Sequence, residues 1–224
     1  MLKRNHQSTN RKGSISFAAN MKDMSLNVYP ETRALIFDLD GTLSNSLPVH
    51  IATWNKIGEQ FGFKFDPQII MEMTGMPTIA FARRIVEQYK LDADPYEIVK
   101  QKQQSFWDSA KLLEPIQEIV SIVKDYHNKL PMSVGTGASR KSAEVQLSAL
   151  GIARYFDFIV SAEDVTKHKP EPETFLECAR LMKVKPEYCQ VFEDGDLGII
   201  AAKKAGMMIT DVRPHISYGE WMQS

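Results

Sequence analysis

Asp38 and Asp40 stand one residue apart, directly after the apolar run Ala34-Leu35-Ile36-Phe37. Residues at that spacing in extended backbone point to the same side, so both carboxylates face one place while Leu39 turns back into the fold. At ~4 Å and an effective dielectric of about 20, two ionised carboxylates repel by roughly 4 kcal/mol, so the pair needs a cation, a proton or distance. Oxygen-only ligands of this kind favour a hard ion, and Mg²⁺, which keeps several waters and pairs naturally with a phosphate, is the expected cofactor. A second pair of acids, Glu193 and Asp194, ends another apolar run, Val191-Phe192. Ser133-Val134-Gly135-Thr136-Gly137-Ala138-Ser139 runs from an apolar stretch into a hydroxyl, a glycine and a helix start. Such a loop can hold a phosphate on an oxygen donor and backbone amides, or can be an ordinary capped turn.

Side chains so far apart in the chain converge only if their elements form one sheet edge. From residue 115 onward helical and strand patterns alternate: helix 116–126, strand 132–135, helix 139–150, strand 156–161, helix 171–182, strand 189–192, helix 198–205 and strand 207–212. This alternation predicts an α/β fold, a doubly wound parallel sheet with helices on both faces and its site at the carboxyl ends of the strands. Between the first strand and this region lie four helical patterns, 48–61, 67–73, 77–91 and 95–112, with no strand signal among them. A crossover needs one helix, so four imply an inserted all-helical unit.

The segment Asp38-Leu39-Asp40-Gly41-Thr42-Leu43 after an apolar strand resembles the first signature of the haloacid dehalogenase superfamily of phosphatases. The Thr136 loop resembles the second signature, Lys169-Pro170 within Lys167-His168-Lys169-Pro170-Glu171-Pro172 the third, and Glu193-Asp194 the fourth, in order and each at a strand end. Further segments, including Tyr155-Phe156-Asp157 and Thr174-Phe175-Leu176, are similar to the sugar-phosphate phosphatases allied to β-phosphoglucomutase, including the fructose-1-phosphatase type. The resemblance implies a Rossmann-like core over 30–45 and 113–224, and a helical cap over 46–112. It implies Asp38 as nucleophile and Asp40 as general acid and base. It assigns Thr136, Gly137 and Lys169 to the phosphate, and Asp38, the Asp40 backbone carbonyl, Asp194 and Glu193 to the metal. His50, Thr78 and Arg140 are candidate substrate contacts. The mutase carries an arginine where this chain has Thr78, so the second cationic clamp a bisphosphate needs is absent there. The implied activity is Mg²⁺-dependent hydrolysis of small phosphorylated metabolites through an aspartyl phosphate. A hexose-phosphate mutase and an inorganic pyrophosphatase are the alternatives within the superfamily, and a non-catalytic phosphate-binding or partner-binding protein is the alternative outside enzymology.

Composition limits the partners. The chain has 224 residues, 43% of them hydrophobic, enough for one large core or a core with a small second unit. Its net charge of −1 offers no electrostatic footprint for nucleic acid or an acidic membrane. No apolar run approaches the ~20 residues of a membrane span. Two cysteines, Cys178 and Cys189, sit in apolar segments and read as buried thiols of a reducing compartment, so the expected location is the cytoplasm. A small phosphorylated metabolite is the expected partner, and a monomer or weak dimer the expected assembly. Residues 1–29, basic and without periodicity at their start, read as a disordered tail.

Overall fold

β1 (Ala34–Phe37) is the axis of the molecule: its four residues are all apolar and all buried. A strand covered on both faces reads as a continuous apolar run, and β1 pairs in parallel with β2 (Met132–Gly135) on one side and β4 (Cys189–Glu193) on the other. β3 (Phe158–Val160) and β5 (Met208–Asp211) complete a five-stranded sheet in the order β3-β2-β1-β4-β5. The computed structural model describes residues 26–215.

Alternate residues of β1 enter different layers. Leu35 and Phe37 pack with Ile119 and Val123 of α5 (Gln117–Tyr126) and with Ala143 and Leu147 of α6 (Arg140–Ala149). Ala34 and Ile36 pack with Phe175 and Cys178 of α7 (Glu173–Met182) and with Ala201 and Ala202 of α8 (Asp196–Lys204). This is the doubly wound arrangement. The chain order reverses about β1, because β2 and β3 lie to one side of it and β4 and β5 to the other, so the carboxyl ends beside β1 form the crevice of such a sheet.

The segment between β1 and α5 is all helical: α1 (Leu47–Phe61), α2 (Gln68–Met73), α3 (Thr78–Tyr89) and α4 (Pro95–Asp108), followed by a short 3₁₀ turn. α4 starts where Asp94 accepts a hydrogen bond from the Tyr96 amide beside Pro95. These helices bury a cluster of their own, with Trp54, Ile57, Phe65, Ile69, Ile85 and Ile98. A smaller seam of Val49, Phe106 and Leu113 joins them to the region around Leu150.

Helix ends differ from expectation by at most four residues, the largest difference being α4, which stops at Asp108 where the chain tightens into a 3₁₀ turn over Ala110–Leu112, and β3 is shorter than the pattern 156–161, since Tyr155 closes a 3₁₀ turn ahead of it. Asp196 opens α8 without capping it and pairs with Arg213 at 2.7 Å. The tail reading covers residues 1–25, which lie outside the described residues, and 26–29, which do not behave as tail. Leu26 and Val28 pack against the core, and Gln190 donates to the Asn27 carbonyl at 2.8 Å and accepts from the Tyr29 amide at 2.9 Å. Cys178 and Cys189 are free and buried, and burial pushes their thiols up to about 12 and about 11. Among the described residues no helix is long and apolar enough to cross a membrane.

Candidate active site

Asp38 follows β1 and continues its ladder, donating its amide to the Phe192 carbonyl at 3.0 Å. Glu193 ends β4 and Asp194 follows it, so neighbouring parallel strands deliver three acids to one point. An oxygen from each of Asp38, Glu193 and Asp194 lies within 4.8 Å of the others, and all three residues are buried. Gly41 at φ +90° brings the next loop back over them, and a Cβ there would stand 2.2 Å from Asp194 Oδ2, so only glycine fits. Thr42 Oγ1 then donates to Asp194 Oδ1 at 2.8 Å.

Lys169 enters from the loop before α7, its Nζ donating to Asp38 Oδ1 at 2.6 Å and to Glu193 Oε2 at 2.7 Å. Burial alone would lower this ammonium, but Asp38 and then Glu193 raise it, so it stays charged. One ammonium does not balance three carboxylates. Burial, then Glu193, pushes Asp194 up to about 8, and the same two causes raise Asp38 well above the carboxylate range. A site that would rather hold protons than bare charge, built only of oxygen donors, suits a hard divalent cation.

Asp40 lies two residues on in a different setting. Its Oδ1 accepts from Ser46 Oγ at 2.6 Å, from His50 Nε2 at 2.9 Å and from Gln146 Nε2 at 3.0 Å. Lys102 Nζ lies 2.7 Å from His50 Nδ1, so the ammonium donates to the ring and the ring donates onward. Burial, then Lys102, lowers His50, which favours that neutral tautomer. Burial would raise the Asp40 carboxyl, yet His50, then Ser46, then the Lys102 charge hold it below the usual range. Lys102 is itself lowered by burial to about 8. The His50 ring stacks on Phe106 with centroids 4.3 Å apart, which fixes its plane.

Asp38, Asp40, His50, Thr78, Thr136 and Gly137 all line one cleft between the sheet edge and the helices. Its apolar wall carries Leu47, Trp54, Ile70, Met76 and Phe81. The loop before α3 lies directly on the Thr136 loop: a Cβ on Gly137 would stand 2.3 Å from the Gly75 carbonyl oxygen. Thr136 Oγ1 is already turned to the next helix start, accepting from the Ala138 amide at 3.0 Å.

Arg140 does not reach the cleft. Its guanidinium pairs with Asp164 Oδ2 at 2.5 Å and its amide donates to Glu163 Oε2 at 2.8 Å, because α6 begins against the 3₁₀ turn that carries those acids. Arg83 reaches the Tyr96 hydroxyl at 3.2 Å instead of the cleft. Sequence reasoning missed Ser46, Lys102 and Gln146. The signal was present for two of them: Lys102 falls between Ile98 and Phe106 on the buried stripe of α4, and Gln146 falls beside Ala143 and Leu147 on that of α6.

Known proteins resemble this chain over most of its length. A family model described as haloacid dehalogenase-like hydrolase matches residues 35–212. A fructose-1-phosphate phosphatase of Escherichia coli is 40% identical over 188 residues, covering 83% of this chain and 99% of its own. A phosphorylated carbohydrates phosphatase of Thermotoga maritima is 27% identical over 78% of this chain and 82% of its own. In fold, the crystal structure of β-phosphoglucomutase from Clostridium difficile superposes with a TM-score of 0.72 at 24% identity, covering 86% of this chain and 96% of that one.

Proposed function

The chain belongs to the haloacid dehalogenase-like hydrolases and is a phosphoric monoester hydrolase, and from this we propose that it hydrolyses small sugar phosphates through a phosphorylated Asp38. The observation that carries the reading is the contrast between adjacent acids: Asp38 lies in the carboxylate nest with Lys169, while Asp40, two residues on, faces the cleft with separate partners. The substrate class follows the Escherichia coli and Thermotoga maritima relatives, whose names specify fructose 1-phosphate and phosphorylated carbohydrates. The four helices serve as a cap, spanning 46–112, over a core of 30–45 and the described part of 113–224.

Asp38 attacks phosphorus in line with the ester oxygen, forming the acyl phosphate as the phosphorus–oxygen bond to the sugar breaks. Asp40 gives its proton to the departing alkoxide and later takes one from the water that cleaves the acyl phosphate. In the resting protein the Asp40 carboxyl is held on the ionised side by its hydrogen bonds, which is the form the second step needs; for the first step it takes a proton from solvent at Oδ2 before the cleft closes on the substrate, and the proton it takes from the attacking water restores that state. Lys169 balances the charge on Asp38, and the Thr136 hydroxyl and the Gly137 amide hold phosphoryl oxygens. Asp38, Asp194 and the Asp40 carbonyl, with Glu193 beside them, would hold Mg²⁺, which when bound spreads positive charge over the oxygens of the transferring group.

Hydrolysis is favoured over mutation of the hexose phosphate because the cap side of the cleft presents Thr78, Phe81 and Trp54, and its one cation among the described residues, Lys102, is committed to His50. The test is a panel of monophosphates and a bisphosphate-primed mutase assay with Mg²⁺. Phosphate release from ketose or aldose phosphates is expected to exceed isomerisation of β-glucose 1-phosphate. Faster isomerisation than release would refute the hydrolase reading.

A further inference from the structure

We infer that Gln146 is a positioning residue for Asp40, holding the carboxylate so that Oδ2 faces the leaving group; this rests on the general acid role proposed above. All three hydrogen bonds to the Asp40 carboxylate fall on Oδ1. Oδ2 has no protein partner among the described residues, and the side chain lines the cleft. Ser46 and His50 come from the start of the helical unit, at the entry to α1 and within it. Gln146 comes from α6, which is packed on the sheet through Ala143 and Leu147. It is therefore the donor that ties Asp40 to the frame carrying Thr136, whatever the helices of the cap do.

Gln146 is also an expensive choice if its role were only to fill space. The residue is fully buried, and its Oε1 has no protein hydrogen-bond partner among the described residues. An unpaired buried amide carbonyl lowers stability, and an apolar side chain of the same length avoids that loss. The neighbours on this helix face are small or apolar apart from Ser142, whose hydroxyl is engaged by Trp107 Nε1 at 3.0 Å. Nothing in the packing asks for an amide at position 146. The reach to Asp40 does.

Gln146→Met tests this against an alkyl phosphate and against nitrophenyl phosphate, whose leaving group needs little proton donation. The expected result is a fall in kcat of about 10- to 100-fold on the alkyl ester, the scale of a misplaced catalytic group. KM should hardly move, nitrophenyl phosphate should be turned over almost as before, and the melting temperature should be unchanged or higher. Gln146→Asn keeps the amide but is too short to reach Asp40, and should show the same selective loss. In an Asp40→Asn background neither change should add a further loss. Equal losses on both esters, a loss that persists without Asp40, or failure of the methionine variant to fold would each make Gln146 structural and overturn the inference. If Asp40→Asn alone fails to discriminate between the two esters, the acid role itself falls, which is a separate outcome from failure at Gln146.

Discussion

Asp38 and Asp40 are two residues apart and live in opposite electrostatic settings. Around Asp38 burial and like charge dominate, so it and Asp194 are pushed up. Around Asp40 three donors converge on one oxygen and hold the carboxyl down. The first cluster is assembled from strand ends and the loops that follow them, with Lys169 as its one cation among the described residues. The second draws on the helical segment as well, through Ser46, His50 and Lys102. On the proposed mechanism the difference separates charge storage, which needs a rigid low-dielectric nest, from proton handling, which needs adjustable hydrogen bonds.

The harshest way to break this comparison is to neutralise each aspartate in turn. Asp38→Asn is expected to abolish turnover of every ester while the fold survives, since the change is nearly isosteric and removes one of three crowded negative charges. Chelation should likewise stop turnover and Mg²⁺ restore it. Asp40→Asn should cost about 10² to 10⁴-fold on alkyl phosphates, the usual worth of general acid catalysis, and much less on nitrophenyl phosphate. Steady-state phosphate release on both esters, with circular dichroism to verify folding, distinguishes the two. Identical patterns in the two variants would erase the division of labour.

The next effect is thermodynamic. Asp194, with its folded pKa raised to about 8, keeps a proton in the metal-free native state that the unfolded chain has lost. Where the native state binds more protons, stability falls as pH rises, here between the ordinary carboxylate range and about pH 8. Metal-free protein should therefore melt at lower temperature at pH 8 than at pH 5.5. Mg²⁺ should recover the loss more fully at the higher pH, adding about 2.7 kcal/mol at a concentration 100 times Kd. Differential scanning calorimetry with and without chelator reads this directly. A melting temperature that rises with pH in the chelated sample would mean the acids are not stored as proposed.

How much of this was legible in the sequence follows the same division. The carboxylate nest was legible because a strand end fixes its side chains by local chain direction: Asp38, Thr136, Glu193 and Asp194 sit where apolar runs break, and parallel pairing brings those ends together. The alternation of elements gave the doubly wound sheet for the same reason. The Asp40 network was only half legible. His50 faces the loop one turn into α1, but Lys102 meets His50 from 52 residues away along the chain and Gln146 meets Asp40 from 106, across helix faces whose rotation no motif specifies. Arg140 failed in the opposite sense, since its place at the start of α6 suggested the phosphate while Glu163 and Asp164, on a turn 23 and 24 residues later, claimed it.

The finest test of the contrast is the lysine at the far end of the Asp40 network. Lys102 is buried and lowered to about 8, so its proton leaves within reach of ordinary assays. Above that pH the ammonium no longer supports His50 as a donor to Asp40, and turnover of alkyl phosphates should decline, with nitrophenyl phosphate less affected. Stability should move the other way. A lysine whose folded pKa is depressed binds fewer protons in the native than in the unfolded state between about pH 8 and its ordinary value near 10.5, so over that window Lys102 makes stability rise with pH. Lys102→Arg, which stays charged throughout, should remove the alkaline decline in activity and this rise in stability together. Measuring pH–rate profiles and melting temperatures for both proteins separates the two regions cleanly, because no acid of the Asp38 nest can raise stability and lower activity over the same interval. If the arginine variant keeps the wild-type alkaline limb, the titrating group lies elsewhere and Lys102 is not coupled to proton transfer.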